Sequence, residues 1–159
     1  VGVSAGALWT DQLAWRRSDY LSSFLSLSGG VDTFAIKPWG APARPIPGIV
    51  LWGGPTDNCI GLFSFEALSK QLENDLTASG NFFLECIHNC GHSEPPFENG
   101  TSSKYEGLWQ FVFDHPYWTT PGQSLYDTEG VPATLPPWCG IGANSSTPKT
   151  GTCIDDSAC

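Results

Sequence analysis

Methionine is absent from all 159 residues, the first position included. Residue 1 is therefore not a translational start, and the chain is expected to be a processed or fragmentary piece of an exported protein, with any signal peptide upstream. Positive charge is scarce: seven Lys and Arg against sixteen Asp and Glu leave a formal charge of −9. Such a surface repels a phosphate backbone, which excludes nucleic acid as a partner. Long apolar runs are missing too. Stretches such as Phe82 to Ile87 fall far short of the roughly 20 residues a membrane helix needs, so a soluble protein without a membrane partner is expected. No internal repeat is visible.

What is present is enough for a core. Hydrophobic residues make up 40% of the chain, which argues against global disorder. The length fits one compact domain, or a large part of a bigger one, at about 100–200 residues per domain. The six cysteines all lie in the chain from Cys59 to Cys159, which points to disulfides and an oxidising compartment. Two sequons, Asn99-Gly100-Thr101 and Asn144-Ser145-Ser146, would permit glycan attachment in a eukaryotic secretory host. A secreted, extracellular location follows as the expectation.

The order of elements implies an α/β sheet. Ala5 to Arg17 has helical spacing through Ala7, Leu8, Trp9, Leu13 and Ala14. Ser22 to Leu27 reads as a strand closed by Gly29-Gly30, and Phe34 to Pro47 as a proline-broken loop. Gly48 to Trp52 is apolar on both faces, as a central parallel strand requires. Leu62 to Ala78 is an amphipathic helix through Phe65, Leu68, Leu72 and Leu76, stopped at Gly80. Asn81 to His88 is a further strand, and Lys104 to Asp114 a helix ended before Pro116. Strands alternating with helices give parallel crossover units. Residues 1–118 are assigned to this domain. Residues 119–159, rich in Gly, Pro and Ser, form a cysteine-containing tail packed in part through Trp138.

Three residues stand where chemistry would sit. In Gly2-Val3-Ser4-Ala5-Gly6 the flanking glycines allow a sharp turn that exposes the serine hydroxyl at a helix start. The backbone N–H of Ala5 there would stabilise an oxyanion. An ordinary Ser helix cap is the competing reading. A serine nucleophile needs a base, and the base an orienter. Of His88, His92 and His115, His92 is best placed, in a loop after a strand with Gly91 giving freedom to turn. His115 stands at a helix end, where it would favour the dipole. Asp57 follows the strand Gly48 to Trp52, on the edge where open α/β sheets bind ligands, although a turn Asp capping the next helix is the competing reading. Asp11 and Asp19 flank the first helix, and Glu73 and Asp75 read as solvated helix surface. The order Ser, Asp, His is that of α/β-hydrolases.

With those residues in view, the chain resembles the carboxyl-terminal half of an α/β-hydrolase. More narrowly it is similar to the secreted esterases grouped with polyhydroxybutyrate depolymerases and feruloyl esterases. The segments that carry the resemblance are GVSAGALWT, GGPTDNC, HNCGHSEPP and LPPWCGIG, over roughly Val1 to Gly142. The resemblance implies Ser4 as nucleophile, His92 as general acid/base, Asp57 as orienter and Ala5 as one oxyanion donor, with no cofactor. It implies a polymer-linked or aromatic ester as substrate: polyhydroxyalkanoate, a feruloyl or acetyl group on polysaccharide, or a related polyester. A peptidase of the same fold and a non-catalytic secreted module of that fold are the rival functions. A complete hydrolase of this kind has several strands before the serine turn, including the one that delivers it, and a loop giving a second oxyanion donor. None is read in this sequence. An amino-terminal half, covalent or associated, is therefore the expected partner, and the 159 residues alone are expected to be inactive.

If Asp57 meets His92, their loops are neighbours, and a Cys59–Cys90 bridge would tie them. Cys86 with Cys139 and Cys153 with Cys159 complete that expectation. A zinc site on alternating Cys86, His88, Cys90 and His92 is disfavoured, because positions on one strand face do not converge on a tetrahedron, so no metal is expected. Trp9 and Trp39 are candidate aromatic walls for a substrate. Asp155-Asp156 reads as solvated acidic tail.

Overall fold

The computed structural model of the chain describes residues 1–32, 36–97 and 105–153. Its centre is a five-stranded sheet built from β1 (Gly2–Val3), β2 (Phe24–Leu27), β3 (Gly48–Trp52), β6 (Phe83–Ile87) and β7 (Cys139–Ile141), in that spatial order. The first four strands are parallel, and β7 runs antiparallel to β6. A separate two-stranded hairpin pairs β4 (Asn58–Cys59) with β5 (Phe63–Ser64). The protein is of the α/β class.

Burial explains why the central strands are apolar throughout. Every residue of β2 and β3 is buried. One face of the sheet, with Phe24, Val50, Trp52 and Phe83, packs on α1 (Ala5–Arg16) through Ala14 and on α2 (Phe65–Ala78) through Leu72 and Leu76. The other face, with Leu25, Leu27, Ile49, Leu51 and Leu84, packs on α3 (Glu106–Asp114) through Leu108 and Phe111. That second core also takes in Tyr126, from the short helix α4 (Tyr126–Glu129), with Leu135, Trp138 and Cys139.

Several boundaries differ from the sequence expectation for physical reasons. The second helix starts at Phe65 rather than Leu62, because Phe63 and Ser64 pair with the preceding strand and Ser64 caps the helix by accepting from Ala67 N–H. A strand does precede Ser4: Gly2 and Val3 pair with Ser26 and Leu27. Glu73 is not on a solvated surface. It is 2% exposed, and its carboxyl meets that of Glu85 on β6 through a side-chain hydrogen bond. Burial, then the Glu85 charge, pushes the Glu73 pKa up to about 9, so Glu73 holds a proton at neutral pH. Glu85 in turn accepts from the backbone N–H groups of Asn144 and Ser146.

Two disulfides are defined, Cys86–Cys139 and Cys90–Cys153. The first matches expectation and joins β6 to β7. The second replaces both of the other expected pairs. Cys90 lies on the descending loop after β6 and reaches the late segment rather than Cys59, which is itself disulfide-bonded. Both thiols of the zinc alternative are thus used in covalent bonds. Cys159, the Asn99 sequon and Asp155-Asp156 lie outside the described residues. Among those described, no helix is long and apolar enough to cross a membrane.

Candidate active site

Each polar residue of the site continues a strand at its carboxyl end. Ser4 follows β1, and its N–H still donates to Leu27 O. It stands at the N-terminus of α1 with φ 54° and ψ −126°, and its side chain makes no cap hydrogen bond. Positive φ is unfavourable for serine, at a cost on the order of 1–3 kcal/mol. Such a turn leaves the hydroxyl projecting from the sheet edge instead of folding back on the helix. The glycines around it let α1 sit close: a Cβ on Gly2 would lie 2.2 Å from the Gly6 carbonyl oxygen. Ala5 is the first residue of α1 and is exposed, so its N–H is among the helix-start donors with no partner inside the helix.

Asp57 follows β3 through a tight turn, Gly54–Thr56. It is fully buried, and its carboxyl group is hydrogen-bonded on both oxygens. Oδ2 accepts from Gly53 N–H and from the Ser28 hydroxyl, each at 2.8 Å. Oδ1 lies 2.7 Å from His92 Nδ1. These partners occupy both carboxyl oxygens, and the cap of α2 belongs to Ser64, so the turn-cap reading of Asp57 does not hold.

His92 closes the group. Its Nε2 lies 2.9 Å from Ser4 Oγ, on the side opposite Asp57. A carboxylate only accepts, so the network assigns the hydrogen to Nδ1 and leaves Nε2 to accept from the serine hydroxyl. The ring stacks on Phe65 at a centroid distance of 4.4 Å, which fixes its plane. All three residues singled out in the sequence therefore meet.

The other two histidines serve elsewhere. His88 is buried, accepts from Cys90 N–H through Nδ1, and has its pKa lowered to about 4, first by desolvation and then by Lys149. His115 bonds the Phe111 carbonyl and the Ser124 hydroxyl, closing the end of α3. Ser28 was missed in the sequence. Its signal was present, since Ser28-Gly29-Gly30 ends a strand as Gly53-Gly54 does.

A cavity of about 500 Å³ opens beside the site, with His92 and Ser28 in its lining. Val3, Leu25, Leu27, Leu108 and Trp109 make most of it apolar, and Glu94 and Tyr105 add polar groups. Those two are hydrogen-bonded to each other. Of the tryptophans, Trp109 lines this cavity. Trp9 is exposed and outside this lining, and Trp39 packs on Phe24.

No family model and no curated protein matches the chain. Solved structures do. The native form of a protein called sOPH matches with a TM-score of 0.64 at 18% identity, over 92% of this chain and 54% of that one. A serine-to-cysteine variant of pOPH in complex with DMSO matches with a TM-score of 0.61 at 17% identity, over 89% and 52%. The likeness is one of fold. The chain spans about half the length of the solved structures it matches.

Proposed function

We propose that the chain is the carboxyl-terminal half of an α/β-hydrolase domain and that it carries the catalytic residues of a secreted serine ester hydrolase. Its narrower kin, on this reading, are the polyhydroxybutyrate depolymerase and feruloyl esterase group. Ser4 Oγ attacks the ester carbonyl while His92 Nε2 takes its proton. Asp57 holds the imidazole in the required tautomer and stabilises the imidazolium that forms. The oxyanion is stabilised by Ala5 N–H at the start of α1. The protonated His92 then gives its proton to the leaving alkoxide, and an acyl group remains on Ser4. Water, deprotonated by His92, attacks that acyl group, and the acid leaves as His92 returns the proton to Ser4 Oγ. Every proton has a side-chain carrier, so the cycle needs no cofactor.

The observation that supports this reading most is the pair of contacts through one imidazole, 2.9 Å to Ser4 and 2.7 Å to Asp57. A serine that merely capped a helix would not turn its hydroxyl to a histidine oriented by a buried carboxylate. The mostly apolar cavity beside His92 suits an uncharged apolar or aromatic ester group, in keeping with polymer-linked or aromatic substrates. The upstream half of the domain, covalent or associated, supplies the second oxyanion donor. In the full-length protein, p-nitrophenyl ester should be hydrolysed, a peptide anilide should not, and Ser4→Ala should abolish turnover. Ester turnover that survives Ser4→Ala would refute the assignment.

A further inference from the structure

Asp11 is a buried carboxyl that the reaction above does not use. It lies on α1 two turns beyond Ser4, is fully buried, and reaches away from the helix to the end of β2. Its Oδ2 accepts from Gly30 N–H at 2.7 Å and from the Ser26 hydroxyl at 2.9 Å. Its Oδ1 has no hydrogen-bond partner among the described residues. Burial pushes its pKa up to about 7 against the lowering effect of those two hydrogen bonds. A buried carboxyl with one oxygen unpaired is destabilising, so its presence calls for a return elsewhere.

That return lies in the turn it grips. Ser28 has φ 51° and Gly30 φ 122°, so both ends of the segment Ser28–Gly30 are held in conformations unfavourable to most residues. A Cβ on Gly29 would lie 2.8 Å from Asp11 Oδ2 and 2.6 Å from the Ala7 methyl, so the turn is pressed against α1. The Gly29 carbonyl accepts from Ser69 on α2. From this turn the Ser28 hydroxyl donates to Asp57 Oδ2 at 2.8 Å. The contacts therefore form a closed circuit: Ser4 to α1, α1 through Asp11 to the turn, Ser28 to Asp57, Asp57 to His92, and His92 back to Ser4.

We propose that Asp11 and Ser28 are positioning residues, through which the helix that presents Ser4 also fixes the carboxylate that orients His92. The proposal rests on the serine-hydrolase reading of the site. Neither residue touches a reacting atom. Ser28 removes one degree of freedom from the Asp57 carboxyl, and Asp11 fixes Ser28.

The test is the rate at which a fluorophosphonate labels Ser4 in the full-length protein. Ser28→Gly deletes the hydroxyl while suiting the positive φ, so the fold is retained. Labelling should nevertheless slow by about 10-fold to 100-fold, the range for losing a hydrogen bond to a charged group. Asp11→Ala should slow it comparably. Asp11→Asn should recover most of the rate, because its amide oxygen can still accept from Gly30 and Ser26. Glu73→Gln, a buried change at a residue that makes none of these contacts, should leave the rate unchanged. Wild-type labelling rates in folded Ser28→Gly or Asp11→Ala would overturn the proposal, as would a slow Asp11→Asn that is as stable as the wild type. If wild-type Ser4 is not labelled at all, the hydrolase reading fails instead. The downfield Nδ1 proton of His92 in NMR then decides the circuit alone: it should shift or vanish in Ser28→Gly and Asp11→Ala, and an unmoved resonance would refute the coupling.

Discussion

Gly53 and Gly91 touch backbone to backbone: Gly91 N–H donates to the Gly53 carbonyl at 3.1 Å, and a Cβ on Gly53 would fall 1.8 Å from the Gly91 oxygen. This contact seats the loop of His92 against the loop of Asp57. Gly53→Ala is therefore expected to push the two apart. A displacement of about 1 Å at a reacting group costs on the order of 10²-fold in rate, and kcat for a p-nitrophenyl ester should fall at least that far. An unimpaired Gly53→Ala variant would show that the close approach is unimportant.

Asp57→Asn tests the orienter without emptying its site. The amide can still accept from Ser28 and Gly53, but it presents N–H rather than a carboxylate to His92 Nδ1 and favours the wrong tautomer. In enzymes with this arrangement that change lowers kcat by about 10⁴. Steady-state kinetics alongside thermal denaturation should show a loss of that order with little change in Tm. A modest loss would place the orienting role elsewhere.

Stability should fall as pH rises through the range set by Glu73. Folded, it keeps its proton to about pH 9, whereas the ordinary value is 4.5. Between those values the native state binds more protons than the unfolded chain, so the contribution is complete below the lower value and lost above the higher. Asp11, raised to about 7, adds to the same slope over its lower part. Glu73→Gln donates permanently where Glu73 must stay protonated. It should flatten the decline and raise Tm at pH 8, by about 2–4 °C for each kcal/mol. Melting curves from pH 5 to 9 that keep the wild-type slope would contradict this.

Cys90 stands two residues before His92 and is tied to Cys153, 63 positions later. Replacing both by Ala should cost about 2–4 kcal/mol of stability. It should also raise KM or lower kcat by loosening the loop of the base. Non-reducing peptide maps should contain the Cys86–Cys139 and Cys90–Cys153 pairs. A Cys59–Cys90 peptide would contradict the structure.

Legibility in the sequence followed burial and locality. Gly48–Trp52 was readable to the residue, because a strand buried on both faces leaves an unbroken apolar run between turn signals. Ser4, Asp57 and His92 could be singled out because each sits in a short, glycine-marked turn after a strand. What failed depends on partners far along the chain. Glu73 looks like helix surface until Glu85 on another element is placed against it. Cys90 pairs by the course of its loop after β6, which spacing does not encode. Asp11 reads as a helix-flanking acid, since Gly30 and Ser26 become its partners only when β2 lies beside α1. The strand β7 has three residues and α4 four, too short for any period to show.

Mass-spectrometric mapping of the fluorophosphonate adduct in the intact full-length protein tests the central claim most directly. A single adduct on Ser4, lost in a folded His92→Ala variant, is the expected result. An adduct on a different serine, or none on a protein shown to be folded, would contradict the account.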